Sequence, residues 1–568
     1  MNRPVSLSAE PLAAALAQAA MRPLAFDGLF GWLHQGFAPS FDTGVVLIAP
    51  LGRDARCAHR PTRLFADQLA AAGFPVLRYD HRGTGDSLDL TEVEGDAVTV
   101  WLADIARAAE ALRRQAGVRR VVLGGVRLGA SFAAAAADKA DGLMLLAPVL
   151  SGRSWLRRLR FSLNQAPAAE ESGLDTDGLQ LSGGAATRLA EIDLTTLAAP
   201  ASPVFLAAQN RLVEDYGAAL ARGGEAVTTS GFPGFRELFL DAHSNLPPTE
   251  LFEAACAWLT ETFGGETACP PQGQPASPAL LSEGFIERPV AFGAGLRGIL
   301  CAPQDPGAAA PCVLFCNTGG DPRAGIGGFS TSAARVLAQR GVTSLRFDFA
   351  GLGDSDAVGP DQRPHVYETP READFDAALD FLEQQGLGQV AVVGVCAGAY
   401  HALRAGWRDA RVAGVFAVSP VKLVWREGDS LVFGRKDDGK ATHHYAQAAT
   451  DPETWRRLLT GGIDLAAVGR TLHGRTLRRL SSLAQRQAQG SPLAEARRFA
   501  ARGGRVRMVM GLDDASLDEI ESHFGLKGAR LAALCGADLE ILPDLDHGLA
   551  RSESRRLAMA SLLSWMGV

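Results

Sequence analysis

The chain has 568 residues, too many for one hydrophobic core, so two or more domains are expected. With 47% hydrophobic and 21% charged residues it reads as an ordinary globular protein, and a net charge of -7 excludes a general attraction to nucleic acid or anionic lipid. Eight scattered cysteines exclude a disulfide scaffold and fit a reducing compartment, and the absence of any C-x-x-C pair argues against zinc.

Met1–Met21 contains a short alanine-rich run broken by Glu10 and Pro11, unlike a signal peptide, and no apolar stretch is long enough to span a bilayer. The expected location is the cytoplasm. Apolar, β-branched runs then predict strands near Gly44–Ala49, Val76–Tyr79, Val121–Gly124, Leu143–Ala147 and Val204–Ala207. Helical patterns fall between them, as at Thr62–Ala72 and Val98–Gln115. Residues 267–280, rich in proline, glycine and glutamine, read as a linker. Beyond it, Glu287–Pro303 predicts an antiparallel hairpin. Strands follow near Val313–Cys316, Thr343–Phe347, Val390–Gly394, Val412–Val418, Val506–Met510 and Asp538–Leu542. Alternation of this kind predicts two α/β domains, 1–266 and 281–568, each a doubly wound and mostly parallel sheet. Two long insertions, about 150–201 and 422–503, read as mostly helical caps leaving the carboxyl ends of strands, where ligands bind in such sheets.

The two domains are copies. Leu77–Ser87 (LRYDHRGTGDS) recurs as Leu345–Ser355 (LRFDFAGLGDS), Gly124–Ala130 as Val393–Ala399, and Leu146–Val149 as Val418–Val421, at offsets of 268, 269 and 272 residues. That period is far beyond a solenoid repeat and means tandem domains.

In the second copy a β-branched run ends in Gly394-Val395-Cys396-Ala397-Gly398 and an alanine-rich helix pattern follows. This is the strand–turn–helix of a nucleophile elbow with sulfur in place of a serine hydroxyl. The turn holds its central residue in strained backbone, and the helix N-terminus favours a thiolate there. A buried core cysteine is the competing reading of such a strand.

Through the turn Asp80–Ser87 the chain resembles the α/β-hydrolase fold; the second copy departs from that turn at Ala350. More narrowly, Gly319-Gly320 with Arg323, Gly325 and Gly328, then Leu345–Ser355, Gly394–Ala399 and Asp546-His547 resemble the hydrolases associated with the exosortase A system of bacterial exopolysaccharide clusters. The first copy is similar to a companion class that carries arginine at the nucleophile position, as Arg127 does here.

The resemblance implies a triad in the order nucleophile, acid, histidine. After Cys396, the strand ending in Gly511-Leu512-Asp513-Asp514 supplies the acid, Asp514 with Asp513 in reserve, and the loop after the last strand supplies His547 as base. Oxyanion donors are expected from the backbone N–H of Ala397 and of Thr318 or Gly319. The expected reaction is hydrolysis or transfer of an acyl group through an acyl-cysteine. The donor would be a small-molecule ester or thioester, free or carrier-bound as on phosphopantetheine or CoA. A dedicated acyltransferase of polysaccharide or natural-product assembly and a non-catalytic binding protein are the alternatives. Lactone hydrolysis is also open, since dienelactone hydrolases use this triad. No P-loop, H-E-x-x-H or dinucleotide fingerprint is present, so no cofactor or metal is expected.

In the second cap, Arg470, Arg475, Arg478 and Arg479 read as a solvated face or a site for an acidic group. Trp425 and Trp455 read as core or acyl-pocket residues, and His443-His444 as surface. The first copy lacks an acid after Val204–Ala207. Arg127 cannot be a nucleophile, and His243 stands at the base position with nothing to activate. That domain is expected to be a non-catalytic partner.

Overall fold

A computed structural model describes residues 19–37, 40–90, 96–162, 173–224, 226–270, 278–305, 312–357, 366–367, 371–426, 429 and 490–568. The chain divides into two compact units. The first is Met1–Ala291 together with Gly320–Thr331 and Ala350–Pro364, and the second is Phe292–Gly319, Ser332–Phe349 and His365–Val568.

Among the described residues ten strands precede residue 232: β1 (Ala19–Phe26), β2 (Leu29–Gly36), β3 (Thr43–Ile48), β4 (Val76–Tyr79), β5 (Arg120–Val126), β6 (Gly142–Leu146), β7 (Leu174–Thr176), β8 (Leu179–Leu181), β9 (Val204–Ala208) and β10 (Val227–Gly231). Eight of them form one sheet in the order β1-β2-β4-β3-β5-β6-β9-β10, and β7 and β8 form a separate hairpin. From β4 onward across that sheet the pairing is parallel, as β-branched runs buried on both faces require. Strand β3 shows the period of two: Val45 and Leu47 pack on one face, Val46 and Ile48 on the other. Helices Gly52–Ala71 and Thr249–Phe263 cover the first face, with Phe65 stacked on Phe252 at 4.4 Å.

The helix expected at Thr62–Ala72 begins ten residues earlier, at Gly52, and runs through Pro61. A proline there cannot donate to the carbonyl four residues back, that of Cys57. The buried Asn245 side chain takes over, donating to the Cys57 oxygen at 2.6 Å. Asn245→Ala should therefore cost about 1–3 kcal/mol by leaving that carbonyl unsatisfied. Urea melting would show it, and an unchanged midpoint would mean the helix tolerates Pro61 without help.

The insertion expected to be mostly helical holds helices Gly152–Ser162 and Gly183–Ala190 but also the β7–β8 hairpin. Asp177-Gly178 makes its two-residue turn, both with positive φ (48° and 78°), and Asp27-Gly28 turns β1 into β2 in the same way (47° and 79°). Within the first unit Arg323 lies buried between Asp86 (2.6 Å) and Asp354 (2.8 Å), and Arg78 also reaches Asp354 at 2.9 Å.

The later strands are β11 (Leu280–Ser282), β12 (Phe285–Phe292), β13 (Leu296–Pro303), β14 (Cys312–Phe315), β15 (Ser344–Asp348), β16 (Val390–Val395), β17 (Val412–Val418), β18 (Arg505–Gly511) and β19 (Ala537–Leu542), in the sheet order β11-β12-β13-β15-β14-β16-β17-β18-β19. Strand β16, buried at every position, runs parallel between β14 and β17 and carries the elbow at its carboxyl end. Among the described residues no helix is long and apolar enough to cross a membrane, and no cluster of potential metal ligands occurs.

Candidate active site

Cys396 follows β16 directly and precedes the helix Ala397–Arg408, with φ 55° and ψ -115°. Such a backbone is costly for a residue with a side chain and persists only where its surroundings enforce it. They do so here. The Cys396 N–H donates to the Val418 carbonyl at 2.9 Å, tying the turn to β17. A Cβ on Gly394 would lie 2.2 Å from the Gly398 oxygen, and one on Gly398 would lie 2.4 Å from the Asn317 oxygen. The two glycines thus let strand, helix and the loop after β14 pack backbone to backbone.

That loop is the one expected to supply an oxyanion donor. Asn317 pins it from within, donating from Nδ2 to Asp348 Oδ1 (2.8 Å) and accepting the Phe349 N–H on Oδ1 (2.7 Å). Thr318 is buried, Gly319 has φ 59°, and the space beside the Gly319 Cα is open. Ala397, on the other side, is buried at the first turn of the helix.

His547 stands on the loop after β19. Its Nδ1–H donates to Asp514 Oδ2 at 2.8 Å. The carboxylate that meets the histidine is therefore that of Asp514, not of its neighbour Asp513. Two further residues hold the pair: Ser516, which did not stand out in the sequence, and Asp546, noted there only as the neighbour of His547. Ser516 donates to Asp514 Oδ1 from its N–H (2.9 Å) and hydroxyl (2.5 Å). Asp546 accepts the Ala550 and Arg551 N–H groups (2.7 and 3.1 Å), which fixes the loop that carries His547.

Burial alone would raise the Asp514 carboxyl, but the His547 imidazolium and the Ser516 donors outweigh it and bring it to about 2. Burial would lower His547, but the charge on Cys396 and the Asp514 carboxylate hold the imidazolium well above its usual 6.5. The depressed carboxyl contributes stability above pH 3.8 that is lost as pH falls toward 2. The raised imidazolium contributes stability below pH 6.5 that is lost on the alkaline side. The pair should matter most between those limits. There Asp514→Asn is expected to lower unfolding stability by about 2 kcal/mol, since one pKa unit is worth ~1.4 kcal/mol. Denaturant melts of wild type and variant across pH would check it, and a gap that does not narrow at both ends would contradict it.

Beside the elbow helix lies a cavity of about 520 Å³, with Tyr367, Tyr400 and Trp425 among its walls. Trp425 stacks on Tyr367 with centroids 4.8 Å apart and planes 18° from parallel. The other cap residues singled out in the sequence, Trp455, His443, His444, Arg470, Arg475, Arg478 and Arg479, lie outside the described residues.

In the first unit Arg127 occupies the matching elbow with φ 56° and ψ -122°, and its N–H reaches the Leu146 carbonyl at 3.0 Å. Its guanidinium pairs with Asp54 (Nε to Oδ2, 3.3 Å) and lies 5.7 Å from the Phe235 ring centroid. Burial pushes the Asp54 carboxyl up, with Arg127 opposing it. Where β18 leads to Asp514, β9 leads to Asn210, whose side chain caps the helix Arg211–Arg222. His243 is 41% exposed and has Asp241 at 3.6 Å.

Residues 55–173 match the family described as serine aminopeptidase, S33, and residues 313–560 match the alpha/beta hydrolase family. The chain carries two α/β-hydrolase domains in tandem. No curated protein matches it. Among solved structures it is similar to Est1E from Butyrivibrio proteoclasticus, at 17% identity over 43% of this chain and 99% of that one, with a TM-score of 0.33. It is similar to the Pyrococcus furiosus esterase Pf2001, at 16% identity over 50% of this chain and 94% of that one, with a TM-score of 0.31. A proline iminopeptidase-related protein from Thermus thermophilus matches at 18% identity over 43% of this chain and 99% of that one, with a TM-score of 0.31.

Proposed function

We propose that the second domain is a cysteine hydrolase that cleaves an ester or thioester through an acyl-cysteine on Cys396. The observation that carries this reading is His547, which bonds Asp514 through Nδ1 at 2.8 Å and whose imidazolium the charge on Cys396, at the strained elbow, helps hold. His547 accepts the thiol proton, and the sulfur attacks the acyl carbonyl. Asp514, fixed by Ser516, keeps the imidazole in the required tautomer and stabilises its charged form. The N–H groups of Ala397 and of Thr318 or Gly319 receive the negative charge that develops on the carbonyl oxygen. As the intermediate collapses, the bond to the leaving group breaks and His547 returns the proton to it. Water or another nucleophile then releases the thioester by the same steps.

The first domain is proposed to be a non-catalytic partner. Its elbow holds an arginine engaged with Asp54, and a helix cap stands where the acid would be. The narrower kinship with exosortase-associated hydrolases belongs to this proposal as well.

The test is intact mass after incubation of the full chain with acyl thioesters and p-nitrophenyl esters. Wild type should gain one acyl group and Cys396→Ala none. Decay of the adduct in water supports a hydrolase, whereas decay only with added amine or alcohol supports an acyltransferase. No adduct, with equal turnover by wild type and Cys396→Ala, would reduce the second domain to a binding module.

A further inference from the structure

We propose that the cavity beside the elbow helix is the acyl pocket and that it takes a flat, aryl-bearing acyl group whose polar substituents lie at the end away from the reacting carbonyl. This rests on the reading of Cys396 as the nucleophile. A volume of about 520 Å³ falls within the ~300–1,000 Å³ of small-molecule sites.

The cavity follows the helix that begins at the nucleophile. Tyr400, Arg404 and Arg408 all line it, at spacings of four residues, so one face of that helix forms a wall. At a rise of ~1.5 Å per residue, Tyr400 and Arg408 are about 12 Å apart along the axis. The two ends differ in chemistry. At the nucleophile end Tyr367, Tyr400 and Trp425 pack with Ala397, the residue after Cys396. Tyr367 lies 5.1 Å from Tyr400, ring to ring, and is stacked on Trp425. After burial itself, the charge on Cys396 is the next largest influence raising the Tyr367 phenol. Arg404, whose guanidinium lies 5.6 Å from the Tyr400 ring centroid, meets Glu372 at 3.1 Å, and at the far end Arg408 pairs with Asp376.

A long saturated chain would thread past the aromatic wall and press its tail against those ion pairs, stripping water from charges and giving nothing in return. A planar unsaturated group gains stacking on Tyr367 and Trp425 and can carry hydroxyl groups to the charged end. Loading breaks the thioester bond to the leaving thiol and forms one to Cys396. The Cys396 proton passes through His547 to the departing sulfur, so no oxidant or further reactant is needed.

The test loads the full chain with 4-hydroxycinnamoyl and octanoyl thioesters of N-acetylcysteamine and follows the rate by intact mass. The expected result is at least tenfold faster loading of the hydroxycinnamoyl group. Trp425→Ala should erase that preference and Trp425→Phe should keep it. Equal or faster octanoyl loading, or an undiminished preference in folded Trp425→Ala, overturns the pocket assignment while leaving the nucleophile standing. If neither thioester loads wild type, the reading of Cys396 fails instead. The pocket is then decided by titrating 4-hydroxycinnamate into Cys396→Ala. Saturable binding that is lost on adding Trp425→Ala supports it, and no binding overturns it.

Discussion

Alanine at His547 should lower turnover of an activated acyl ester by roughly four orders of magnitude, and alanine at Cys396 should bring it to the same floor. On the proposed mechanism the two act as one unit, because the thiol proton that His547 would accept is the one whose loss makes the sulfur nucleophilic. The double variant should therefore be no worse than either single change. What remains would come from binding and from the backbone donors at Ala397 and the Asn317–Gly319 loop, which neither substitution touches. Cys396→Ser should recover little, since a serine hydroxyl at neutral pH is a far weaker nucleophile than a thiolate. Steady-state and burst kinetics with a p-nitrophenyl ester would measure this, on variants first matched for melting temperature. A His547→Ala enzyme within tenfold of wild type would rule out the histidine as the base. Two single losses that multiply in the double variant would mean that the residues work separately.

Gly394→Ala should be among the most damaging small substitutions in the protein. The added Cβ would sit 2.2 Å from the Gly398 oxygen, a separation that side-chain carbons do not tolerate. Relief by movement is blocked because β16 is held on both sides, by β14 and β17. The obstructing atom is backbone, so no side chain can swing aside. A loss of about 3 kcal/mol or more is expected, and acylation of Cys396 should fall with it because the elbow no longer closes. Gly388 is the control: nothing lies within 4 Å of its Cβ direction, so Gly388→Ala should stay within about 0.5 kcal/mol of wild type. Urea midpoints of the two variants give the comparison. A Gly394→Ala protein as stable as Gly388→Ala would mean that the elbow can open at little cost.

What could be read in the sequence was what local pattern dictates. The strands leading to the elbow and to Asp514 and His547 announce themselves as apolar runs ending in glycine or loop residues, and the structure places them within a residue or two. The hairpin Glu287–Pro303 was legible as β12 and β13, yet its counterpart Ala19–Gly36 was not, although Asp27-Gly28 is a strong two-residue turn signal. Asp177-Gly178 carried the same signal inside a stretch that otherwise looked helical. Spacing after Gly511 favours Asp514 and keeps Asp513 in reserve, because the final choice depends on which carboxylate the loop after β19 meets. Asn245, Asn317 and Ser516 lie in the same class. Each satisfies a backbone or carboxylate group supplied by another segment, and a polar residue in a loop gives no hint of which distant group it serves. The start of the helix at Gly52 was missed for that reason, since Pro61 looks like a barrier until Asn245 is seen to answer for it.

Arg127 and Cys396 have φ values of 56° and 55°, although a guanidinium has no use for the geometry that presents a nucleophile. Ala147 and Ser419, at the ends of β6 and β17, repeat the coincidence at 49° and 47°. The contorted backbone is therefore a property of where certain strands end in this architecture, whatever side chain stands there. What sets two sibling corners apart is what the side chain on each can reach.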